Sequence, residues 1–304
     1  MFPLLRTTIS LVFVFMLINS CSESPTVVDE NIWSAELEEW RKNRIAELKM
    51  ERGWLSLTGM DWLKEGSNSL GTEASNDIQF KDGSAASRVG IIYMVADTFL
   101  FVADPAAEVF HNEKAITEIM MEADYTGNQT ILSTGSVQFG IIKRSGRFAL
   151  RTWDKNTTTL ANFREIPIYK ADASWVIPAT FHRYDPLRNL VLTTLVGTSD
   201  DNPNDGYLEF NLMGDTYRFD VVASASDTTL FVVFGDPTNK DETYGGGRYM
   251  YIDRPDTNAS KSQVIIDFNK AYNPPCAFTA YSTCAFPPEQ NTLPIKVTAG
   301  EKRY

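Results

Sequence analysis

The chain reads as mainly β: one N-terminal helix, a small β-sandwich, then a second antiparallel domain built as a sandwich or barrel. Three observations predict this. Ten short β-branched and aromatic runs follow residue 88, separated by Gly, Asn and Asp, with no helical interval between them. Only one stretch, near the N-terminus, carries a strong 3.6-residue apolar period. The strand rhythm then breaks once, at TTTLANFR (157–164), which places a seam between two β domains.

Taken in order, residues 1–20 resemble an export signal. Arg6 supplies a positive start, and ISLVFVFMLI (9–18) is apolar apart from Ser10. Ten residues are about half of the roughly 20 that a transmembrane helix needs. The segment ends in LINSC, which resembles the lipobox of bacterial lipoproteins, and that likeness implies a lipid on Cys21. The expected location is therefore the bacterial cell envelope, with the protein held to a lipid bilayer through Cys21 and its folded part outside the cytoplasm. Residues 21–32 read as a polar tether.

Residues 33–52 are expected to form the helix. Trp33, Leu37 and Trp40 fall at i, i+4 and i+7 on one face, Ser34 is the expected N-cap, and Gly53 stops it. Beyond it, 53–156 and 157–304 are the two β domains. Removing the leader leaves 27 basic against 39 acidic side chains, a net charge of −12. A chain so acidic has no general field for nucleic acid, so none is expected as a partner. With 43% apolar and 12% aromatic residues it has ample material for a core.

With Cys21 assigned to lipid, Cys276 and Cys284 remain, in NPPCAFTAYSTCAFPPEQN. An even remainder in an exported protein favours a disulfide; two buried free thiols are the alternative. A zinc site needs about four ligands, and the two histidines, His111 and His182, lie far off in sequence, as does any base to activate a thiol. Neither metal nor cofactor is expected. HExxH, GxSxG, GxxxxGK[ST] and GxGxxG are all absent from the sequence.

Three polar clusters are candidate sites. In DPTNKDETYGGGRYMYID, glycines beside Glu242, Tyr244 and Arg248 allow a close backbone approach, with Arg248 as an anion clamp. The alternative is a hairpin with Arg248 paired to Asp253 or Glu242. In DFNKAYNPP, Asp267, Asn269 and Tyr272 leave an apolar strand. If a small-molecule site exists, it is expected where these two stretches meet. In KRSGRFALRTWD, Arg147 and Arg151 are four apart, so a strand places both on one face. They are paired to Asp154 or Glu165, or form an anion pocket between the domains. His182 and the tryptophans Trp54, Trp62, Trp153 and Trp175 read first as core.

Two family likenesses accompany these readings. KEGSNSLGTEASNDIQF, ASRVGIIYMVADTFLFVAD, VFHNEKAI and the hairpin TILSTGSVQFGIIKRSGRFALRTWD resemble the forkhead-associated fold, a sandwich that usually reads phosphothreonine. Ser87 and Arg88 keep its S-R pair. Thr72 stands where the family has arginine and Gly90 where it has histidine, so a phosphothreonine peptide is not an expected partner. More broadly, GWLSLTGMDWLKEGSNSLG, IIKRSGRFALRTWD, FGDPTNKDETYGGGRYMYID and IIDFNKAYNPPCAFTAYSTCAFPPEQN are similar to the family of domain of unknown function 1684, from about Trp33 to Glu301. That likeness implies no activity. Two functions remain: binding of a small anionic ligand or a partner protein, or hydrolysis by carboxylates such as Asp236, Glu242 or Asp267. Whether the protein is an enzyme is left open.

Overall fold

The N-terminal helix α1 (Glu30–Leu48) starts earlier than its apolar period suggests, because Asp29 caps it. The Asp29 carboxylate accepts the N–H groups of Asn31 and Ile32, a role the sequence reading gave to Ser34. Trp33 and Leu37 are buried as expected. At the other end Gly53 lets the chain fold back: a Cβ there would lie 2.4 Å from the Leu48 carbonyl oxygen. The computed structural model describes residues 28–81, 84–256 and 259–304. Cys21 and the leader lie outside the described residues.

The first sandwich holds β1 (Leu57–Trp62), β2 (Gly66–Gly71), β3 (Ile78–Gln79), β4 (Gly90–Val95), β5 (Thr98–Ala103) and β6 (Phe110–His111). It continues with β7 (Lys114–Ala115), β8 (Glu118–Met121), β9 (Ile131–Thr134), β10 (Val137–Arg144) and β11 (Arg147–Asp154). One sheet runs β1-β11-β10-β9-β6-β7 and the other β3-β2-β4-β5-β8. Pairings are antiparallel except β2 with β3. Alternation buries Val137, Phe139 and Ile141 of β10 with Phe148 and Leu150 of β11 against Ile92, Phe99 and Phe101 of the facing sheet. The register Gly140↔Arg151 therefore puts Arg151 on the outer face of its sheet.

A short helix α2 (Thr158–Asn162) marks the seam. The second sandwich follows: β12 (Val176–Thr193), β13 (Ser199–Leu212), β14 (Asp215–Asp220), β15 (Thr229–Phe234), β16 (Arg248–Asp253) and β17 (Lys261–Asp267). Its sheets run β14-β13-β12-β17 and β15-β16, closing over a core that includes Phe181, Phe210, Phe219, Phe234 and Phe268. β13 begins SDDNPNDGY, too polar to read as a strand, and is drawn into one by pairing with β12. The fold is mainly β, with several antiparallel sheets in sandwich arrangement. Ser145, in the β10–β11 turn, donates to Thr198 and Asp200 in the β12–β13 hairpin, and Thr279 donates to the Leu57 carbonyl, so the two halves meet.

Candidate functional site

Arg248 is where the sequence reading and the structure part most clearly. Its side chain is completely buried. One Nη donates to Asp236 and the Val297 carbonyl, both at 2.9 Å, and the other donates to the Ala299 carbonyl. Asp236 in turn accepts from Thr238 and from the Val297 N–H. The partner is Asp236, not Asp253 or Glu242. This closed network ties the C-terminal segment to the β15–β16 connection, and no face of the guanidinium is left for a ligand arriving from solvent.

The neighbouring candidates are also engaged within the fold. Glu242 accepts from Lys296 and from the Tyr169 hydroxyl, both at 2.9 Å, and those bonds hold its carboxyl below the ordinary value. Tyr244 is half-buried, and burial raises its phenol. Asp267 accepts the Trp33 indole N–H at 2.9 Å and caps the turn that follows, while Asn269 exchanges hydrogen bonds with the backbone of Asp172. The two loops do meet, but through the backbones of Tyr249 and Tyr272, which exchange hydrogen bonds at 2.9 Å. Arg248 and Asp267 have separate partners.

Arg147 and Arg151 share a sheet face, but neither pairs with Asp154 or Glu165. Arg147 is exposed and lies over the Trp62 ring, 4.0 Å from its centroid. Arg151 is 9% exposed and lies over Trp54 at 5.3 Å. Burial, and secondarily Arg144, pull its guanidinium down to about 10, with Asp124 opposing. Among the described residues nothing accepts a hydrogen bond from it, and its Nε is sealed from solvent.

Tyr272 leads to the cavity the sequence did not reveal. Its ring stacks on Tyr251 at 6.2 Å and 15°, meets Trp40 at 6.5 Å, and takes the Arg44 guanidinium over its face at 4.5 Å. Burial drives the Tyr272 phenol well above its ordinary value, with Tyr251 adding to the shift and Arg44 opposing it. These side chains, with Trp54, Glu47 and Pro275, line a cleft of about 370 Å³. That volume lies within the usual range for small-molecule sites, which are also rich in aromatic lining. Arg44 is not a free charge: Glu301 faces its Nε at 3.2 Å, and the Asn273 carbonyl accepts from its Nη at 2.9 Å. Helix α1 supplies Trp40 and Arg44, the link into the first sandwich supplies Trp54, and the second sandwich supplies Tyr251, Tyr272 and Pro275. Three separate segments build one site, and only their packing reveals it.

The disulfide forms part of the wall behind it. Cys276 and Cys284 are bridged, with Cα atoms 6.1 Å apart, and both pack with Tyr249 and Tyr272. His182, read as a core histidine, stacks on Tyr207 at 4.6 Å.

The fold and the cleft define a two-sandwich β protein with an aromatic cavity at its seam. Residues 161–302 match the family described as Protein of unknown function (DUF1684), so the likeness to that family is supported over the second sandwich and the Tyr251–Tyr272–Pro275 side of the cleft. A solution NMR structure of an uncharacterized protein of Haloarcula marismortui is 30% identical in a match covering 47% of this chain and 78% of that one, at a TM-score of 0.41. No curated protein matches the chain.

Proposed function

We propose that the protein is an exported lipoprotein of the bacterial envelope whose seam cleft binds a small anionic ligand through a flat ring. The carrying observation is the arrangement of Trp40, Trp54, Tyr251 and Tyr272 around one cavity. Aromatic faces of this kind stack on planar or sugar rings, each contact contributing about 0.5–1.5 kcal/mol beyond area burial. Binding is favoured over hydrolysis because Asp236, Glu242 and Asp267 are each bound to different internal partners. LINSC supports the anchor at Cys21; metabolic labelling with a radioactive fatty acid should mark the protein and should fail on Cys21→Ser. The first sandwich is taken as forkhead-associated-like without phosphothreonine recognition. At Gly90, a Cβ would sit 2.4 Å from the Val102 carbonyl oxygen, so no histidine fits where that family carries one.

The test is ligand-observed NMR of the folded chain against a panel of aromatic and sugar compounds, neutral and anionic. Saturable binding to some of them, weakened at least tenfold by Trp40→Ala, is the expected result. A panel with no saturable member sinks the proposal.

A further inference from the structure

Among the guanidiniums with a buried, unanswered Nε, Arg248 and Arg254 each hold a carboxylate, Asp236 at 2.9 Å and Asp205 at 2.6 Å. Arg151 does not. It is nine-tenths buried, and among the described residues it makes no ion pair and no hydrogen bond. A buried charge without a partner is costly, and such groups in folded proteins are almost always answered by an opposite charge or a polar contact. The carboxylate that acts on it, Asp124, is already bound to Arg144 at 2.6 Å.

Trp54 connects this residue to the cleft: the indole lines the cavity, and Arg151, itself outside the lining, lies over its ring at 5.3 Å. Inside the cleft, by contrast, Arg44 is already matched by Glu301. Resting on the cleft reading above, we infer that Arg151 is the anion-recognising residue of the site, and that the ligand class is a ring-bearing carboxylate or phosphate. The ring stacks against Trp40 and Trp54, since the Tyr272 ring already carries Tyr251 and Arg44, and the anionic oxygens reach past Trp54 to the N–H groups that Arg151 leaves open. A guanidinium presents paired donors that match either anion. Because the free protein answers this charge only with the Trp54 ring, the ligand supplies the hydrogen bonds and counter-charge that the fold does not.

The experiment titrates wild type and Arg151→Gln with benzoate, phenyl phosphate and neutral benzyl alcohol by ligand-observed NMR. Wild type should bind at least one of the two anions tenfold or more tightly than the alcohol. Arg151→Gln should lose that preference while binding the alcohol as before, and the two anions separate carboxylate from phosphate. A preference retained in Arg151→Gln, or none in wild type that nonetheless binds the alcohol, overturns the role of Arg151 alone. No binding of any of the three defeats the cleft reading itself. Should the variant not fold, wild type answers separately. Phenylglyoxal should modify Arg151, read by peptide mass mapping, and the bound anion should protect it; modification unchanged by the anion overturns the inference.

Discussion

Arg248 and Arg151 both carry a guanidinium into the interior, and their surroundings give them opposite roles. Arg248 has a carboxylate and two carbonyls closed around it. Removing one member of such a pair leaves a buried charge uncompensated, which costs about 3–5 kcal/mol. Asp236→Ala should therefore lower unfolding stability in urea by that amount, and the double variant Asp236→Ala, Arg248→Met should recover much of it. A loss below about 1 kcal/mol for the single variant would show that the network is not closed. The sequence singled out Arg248, either as an anion clamp beside turn-permitting glycines or as a hairpin partner of Asp253 or Glu242. It named the wrong partners, since Asp236 lies twelve residues back and meets Arg248 only through the folded connection.

At the scale of elements, local pattern carried far. The helix face through Trp33 and Leu37 and the strands VQFGIIKR and RFALRTW follow from spacing and composition, and the pairing of Cys276 with Cys284 was favoured over two free thiols once the lipobox likeness had taken Cys21. β13 did not follow, because its Asp and Asn residues are poor strand formers and only the long β12 partner draws them into register. Trp40 was read with the core face of the helix. It is in fact only partly buried, and the face it shares with Arg44 meets Tyr272 across the seam. The disulfide links two residues eight positions apart beside that face. Its loss should cost about 2–3 kcal/mol by the loop-entropy relation. Cys276→Ala with Cys284→Ala, compared with wild type by thermal unfolding, checks this, and an unchanged transition would mean the bridge adds nothing.

Across the whole molecule, buried phenols set the alkaline limit of stability. Tyr249 and Tyr272 stand well above their ordinary value of 10.0, and Tyr169 is raised to about 12, all chiefly by burial. Above pH 10 the unfolded chain releases these protons while the fold retains them, so the unfolded state binds fewer protons and stability falls as pH rises. Tyr184 and Tyr244 are raised by burial as well, while the lowered guanidiniums of Arg151 and Arg248 work the other way, two groups against five. Unfolding followed at a series of pH values should show stability level just below pH 10 and declining above it; a rise instead would contradict the burial of these phenols.

The cleft is likewise a property of the whole chain, assembled from α1, the Trp54 link and the second sandwich. The most direct measurement is amide chemical-shift mapping of the isotope-labelled protein as benzoate and, separately, phenyl phosphate are added. The account predicts saturable shifts confined to residues around 40–54, 149–153, 249–252 and 272–276. Shifts centred instead on the 242–248 loop, or none with either anion at saturating concentration, would contradict it.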